Sequence, residues 1–173
     1  ISYSQFSQWD KCPYMWKLNY VDKHSVFTDS IHTMFGTSMH EVLQEYLKVM
    51  YTQSIVEANK LILEEQLEDR MKKNFLEIVK KNGGDEFCTK DQMVEFYEDG
   101  LKILDYFKKK RNMYFSKRGY ELIGIETALD YGLPKNIKFR GYIDLIIKDT
   151  VRNRIKIIDI KTSTMGWNKY QKA

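Results

Sequence analysis

The sequence predicts an α/β (α+β) domain in which a large helical part, residues 1–118, precedes a small central sheet in residues 119–173. Two observations carry this. Apolar residues recur at spacings of three and four as far as Arg111, the mark of amphipathic helices, and from Gly119 the period changes to strand alternation broken by turn signals. At 173 residues the chain has the length of a single domain with a substantial core.

Taken in order, Ser4 is an acceptable helix cap, and Phe6, Trp9, Trp16 and Tyr20 follow at helical spacing around Pro13. This predicts two short helices meeting at Cys12-Pro13. Core packing is the preferred reading of the aromatic stripe, with direct base stacking the alternative. Cys12 reads as a buried small hydrophobe. Around Gly36 a second helix begins, its apolar face built from Phe35, Met39, Val42, Leu43, Tyr46, Leu47 and Met50. His40 lies on or beside that face. By itself it is more often a satisfied structural histidine than a metal ligand.

Residues 55–81 read as one long charged helix, stopped by Gly83-Gly84. Asp91 is placed to cap another, which runs through Arg111 with Met93, Phe96, Leu101, Leu104 and Phe107 inside. Lys108, Lys109, Lys110 and Arg111, followed by Lys117 and Arg118, are either a solvated helix end or a phosphate-contacting patch. Strands are expected at 120–131, 138–148 and 154–162, joined by two hairpins into an antiparallel meander, with Gly141 marking a bulge. A further helix is expected to begin near Trp167.

No run approaches the roughly 20 apolar residues of a membrane span, and no signal-like pattern opens the chain. Cys12 and Cys88 are too few for a disulfide framework. An intracellular, cytoplasmic protein follows. The net charge of +4, from 28 basic and 24 acidic residues, mildly favours a polyanionic partner and decides nothing alone. The chain lacks an initiator Met and stops within the expected last helix, so its C-terminus is expected to be incomplete.

The chemistry concentrates in residues 139–161. Asp144 interrupts an apolar strand, where an unpartnered carboxylate is costly, and Asp159 and Lys161 share one face of the next. One hairpin separates the two acids, which lets them meet if they use the same face. Mg²⁺ or Mn²⁺ would suit such oxygens, with the backbone carbonyl of Ile160 as a further ligand. Lys161 would orient a metal-activated water or stabilise developing charge. A simple ion pair between Asp159 and Lys161 is the alternative.

G-x-I-D at Gly141–Asp144 followed by D-x-K-T-S at Asp159–Ser163 resembles the core of the PD-(D/E)xK nuclease superfamily, particularly its RecB-like exonuclease branch. Ser2-x-Ser4 with Cys12-Pro13 resembles that branch's opening helix, and Gly36 to Glu41 its G-x-x-x-H-E helix. Four motifs in one order are far more specific than D-x-K alone. The resemblance implies a restriction-endonuclease-like core with a small mixed sheet and metal-dependent DNA hydrolysis in recombination, repair or phage DNA processing. It implies Asp144, Asp159, His40 and the Ile160 carbonyl as metal ligands and Lys161 as the catalytic lysine. Glu126, on the first strand, matches an acid often found there, with a solvent-facing carboxylate the equal alternative.

The implied partners are DNA ends or single strands and a helicase or recombination protein. An endonucleolytic or CRISPR-adaptation-like relative is one alternative, and a non-catalytic DNA-binding scaffold another. Two family features are not matched. Gln171 is followed by only two residues, too few for a Q-x-x-x-Y motif. The iron–sulfur cluster of some relatives needs three cysteines near the C-terminus that this chain lacks, Cys88 lying in the wrong region, so a cluster is not supported.

Overall fold

The computed structural model describes residues 1–24, 28–115, 118–134 and 137–162. Expectations for Lys117, Ser163, the helix near Trp167 and Gln171 fall outside them. The helices are α1 (Tyr3–Lys11), α2 (Pro13–Trp16), α3 (Ile31–Thr52), α4 (Ile55–Ala58), α5 (Leu63–Lys81) and α6 (Lys90–Tyr114), with a π-helical turn at Lys17–Val21 after α2. Strands β1 (Tyr120–Leu133), β2 (Ile137–Asp149) and β3 (Arg154–Ile158) follow.

The central helix α3 has a capping box in which the Ser30 side chain accepts from the Thr33 N–H and the Thr33 hydroxyl accepts from the Ser30 N–H. Its predicted face, Phe35 to Met50, is buried as a continuous stripe. Leu63, Leu67 and Met71 of α5, Leu104 and Phe107 of α6, and Leu145 and Ile147 of β2 close around it. Gly100 makes this closeness possible: a Cβ there would stand 2.4 Å from Leu67 Cδ2 and 3.2 Å from Phe35. A buried hydrogen bond from Asn74 Nδ2 to Ser38 Oγ, 2.9 Å, ties α5 to α3.

Several boundaries differ from expectation. The cap of α1 is Ser2, not Ser4, because Ser2 and Gln5 form a capping box. Thr89, not Asp91, caps α6 by the same device with Gln92. Residues 55–81 form two helices because Ser54 caps the short α4 and Asn59 is held across the break, accepting from Tyr46 Oη at 2.8 Å and Arg111 at 2.7 Å. The aromatic stripe is helical but not core, with Phe6 and Trp9 about half exposed. The core is completed by α3, α5 and α6, and α1 reaches the sheet through its start, where Arg140 N donates to Ile1 O at 2.8 Å. Cys12 is half-buried, and its Sγ caps α2 by accepting from Met15 N.

Among the described residues the sheet has order β1-β2-β3 and is antiparallel throughout, with an isolated parallel bridge between Ser2 and Arg140. The irregularity expected at Gly141 falls instead on β1, where the register shifts between Leu122 and Gly124. Gly141 pairs regularly with Leu129. The third strand ends at Ile158, so Asp159 to Thr162 continue beyond the ladder.

Candidate active site

The site lies where α3, the middle of the β1–β2 hairpin and the segment following β3 meet. His40 projects from α3 one turn beyond Gly36, and a Cβ at Gly36 would lie 3.9 Å from Thr162 Oγ1. That distance puts the D-x-K-T segment directly beside α3. Asp144 joins all three parts. Its Oδ2 accepts the Ile160 backbone N–H at 2.7 Å and stands 4.0 Å from His40 Nδ1.

A cleft of about 480 Å³ opens over this group, lined among others by His40, Glu41, Gln44, Glu126, Tyr142 and Asp144. Glu126 enters it from β1 at the register position opposite Asp144, between the pairs Ile125↔Leu145 and Thr127↔Ile143. It has φ 47°, a left-handed conformation that glutamate adopts at a cost. Glu41 Oε2 is buried without a hydrogen bond, and its nearest countercharge is Arg70 at 3.7 Å.

Asp159 and Lys161 lie beyond the end of β3 and are more than half exposed. Lys161 Nζ meets both carboxylate oxygens of Asp159, at 3.0 and 2.9 Å. The structure thus brings His40, Asp144 and Glu126 to one cleft and attaches Ile160 to Asp144, while Asp159 is turned to its lysine. Among the described residues no three His, Cys, Asp or Glu side chains converge closely enough to hold a metal ion.

The basic run divides. Lys108 pairs with Glu64 at 2.7 Å, and that hydrogen bond holds the Glu64 carboxyl below its ordinary range. Lys109 pairs with Asp105 at 2.6 Å, and Arg111 donates to Tyr46 Oη and Asn59. Lys110 instead lines a small cavity of about 130 Å³ together with Lys161 and Thr162. Arg118 is exposed at the turn before β1.

Tyr142 and Gln44 were not singled out by sequence reasoning. Strand alternation already places Tyr142 on the face of Asp144, two residues away. Gln44 sits one helical turn after His40, a spacing equally legible but chemically unspecific.

Within this α/β domain His40, Glu126 and Asp144 share one cleft, and Asp144 is bonded to the backbone of the D-x-K segment. The family model of the PD-(D/E)XK nuclease superfamily matches residues 1–172, and the chain belongs to that superfamily. No curated protein and no solved structure matches the chain significantly. No helix of the described residues is long and apolar enough to cross a membrane.

Proposed function

We propose that the protein is a metal-dependent deoxyribonuclease of the RecB-like branch, an exonuclease hydrolysing phosphodiester bonds at DNA ends or in single strands. The observation that carries this reading is Asp144, which contacts the D-x-K backbone and stands beside His40 in one cleft. Its cellular setting is DNA recombination, repair or phage DNA processing in the cytoplasm, in company with a helicase or recombination protein.

Superfamily members generally use divalent metals such as Mg²⁺. Carboxylate oxygens with one imidazole fit Mg²⁺ or Mn²⁺ in donor chemistry. Asp144, Asp159, His40 and the Ile160 carbonyl would hold the ion, joined by Glu126. When bound, it lowers the pKa of a water and offsets charge on the phosphodiester.

The chain's own residues do the rest. Lys161 leaves Asp159 for the phosphate, which frees the carboxylate at the moment a substrate replaces it as partner. The exchange is inexpensive because exposed pairs of this kind contribute only about 0–1 kcal/mol. Lys110 adds positive charge on the same side. Lys108 and Lys109 hold exposed partners that they can trade for phosphates on the same terms, and in the sequence Arg111, Lys117 and Arg118 extend the same basic run.

Labelled linear and circular DNA incubated with the purified protein tests this. Linear DNA is degraded with Mg²⁺ or Mn²⁺, circles resist, and EDTA stops the reaction. Lys161→Ala and Asp159→Ala each lower the rate by at least about 100-fold. Because both side chains are exposed, their folding stability shifts by less than about 0.5 kcal/mol. Metal-independent cleavage, or full activity in both variants, overturns the reading.

A further inference from the structure

We propose that Tyr142 is a stacking platform that takes one unstacked base of single-stranded DNA beside the scissile phosphate. This rests on the nuclease reading above and adds how the substrate is held.

Tyr142 is 72% exposed, although it sits within β2, a strand whose other face is sealed into the core by Leu145 and Ile147 at 1% and 0%. It pairs within an unbroken part of the β1–β2 register, so its exposure is not that of a frayed end. Its cross-strand partner is Ala128, itself exposed and too small to cover the ring. A large apolar ring left bare in a regular ladder, in the same cleft as His40 and Asp144, is placed to meet a ligand.

The charges of the cleft indicate which part of a nucleotide that is. Glu41, Glu126 and Asp144 line it, so these side chains offer a phosphate no attraction near the ring. A base presents a neutral π-face that a tyrosine accepts whatever the sequence. Two residues along an extended strand separate Tyr142 from Asp144, about 6.6 Å, comparable to the distance from a phosphate to a neighbouring base. A duplex must first give up stacking and pairing to release that base, a cost of the same order as one stacking contact returns. The platform therefore favours single strands.

Binding of a fluorescent dT 12-mer and of a blunt duplex, both in EDTA so that nothing is cut, is compared for wild type, Tyr142→Ala and Tyr142→Trp. The alanine variant weakens dT 12-mer binding about tenfold and duplex binding less than about twofold, and tryptophan restores the former. Irradiating a 12-mer carrying 5-iododeoxyuridine crosslinks it to the peptide containing Tyr142. Equal losses for both DNAs, or crosslinks only elsewhere, overturn the platform. Cleavage by the wild type alongside unchanged binding in Tyr142→Ala sinks the platform alone. A crosslink at Tyr142 in a protein that cuts no DNA supports the platform and sinks the nuclease reading.

Discussion

The Ile160 backbone N–H donates to Asp144 Oδ2 at 2.7 Å across sixteen residues of chain. Since β3 ends at Ile158, this bond anchors the D-x-K segment to β2 where the ladder no longer does. The carboxylate therefore has a structural duty, accepting the amide, in addition to any role its charge has in catalysis.

Those duties separate by substitution. Asp144→Asn keeps a carbonyl acceptor for Ile160 and loses the charge, whereas Asp144→Ala loses both. A hydrogen bond to a charged group contributes about 1.5–3 kcal/mol, so Asp144→Ala should raise hydrogen exchange at the Ile160 amide by roughly tenfold or more. Asp144→Asn should leave that amide better protected than in Asp144→Ala, though less than in wild type, while abolishing nuclease activity. Unchanged Ile160 exchange in Asp144→Ala would mean that the segment is held by other contacts.

Glu126 invites a backbone test. Its φ of 47° costs an L-residue with a Cβ about 1–2 kcal/mol, which glycine avoids. Asn153 shares the left-handed region at φ 50°, but it lies in the β2–β3 turn and is a residue type suited to it. Glutamate inside a strand is neither. Glu126→Gly should accordingly be more stable than Glu126→Ala by about 1 kcal/mol in urea unfolding, while both lose the acid and lower activity alike. Equal stability of the two would show that the conformation carries no strain.

How much of this was legible in the sequence depended on whether the cause was local. The face of α3 was, because Phe35 to Met50 repeat at helical spacing and burial follows the repeat. The break after α4 was not, since Asn59 is held by Tyr46 and Arg111, which are distant in sequence. Periodicity identified a helix in the aromatic stripe without saying what would cover it. Gly100 gave no local signal, because its reason is the approach of Leu67 and Phe35 from other helices. The site divides along the same line. The order of Asp144, Asp159 and Lys161 stands in the sequence, and the Asp159–Lys161 pair was one of its two readings. That β3 stops short, leaving the Ile160 amide to Asp144, is set by tertiary register.

Acid sensitivity should come in part from the β2–β3 turn. Asp149 is 2% exposed, and its Oδ1 accepts from Val151 N at 3.1 Å and Arg152 N at 2.9 Å, with the Arg152 guanidinium 3.3 Å from Oδ2. The backbone hydrogen bond from Arg152 is the main reason its carboxyl is held below the ordinary value of 3.8, against the opposing effect of burial. A depressed folded-state pKa means that the unfolded chain binds the proton first as pH falls. The contribution of Asp149 is thus complete above pH 3.8 and is lost as pH drops through the lower folded-state value. Asp149→Asn retains an oxygen for the two backbone amides but has no proton to bind. Urea midpoints measured from pH 6 downward should then fall less steeply below pH 3.8 in Asp149→Asn than in wild type, with parallel curves above it. Equal slopes in the acid range would remove Asp149 from the account and leave the turn held by hydrogen-bond geometry without the charge.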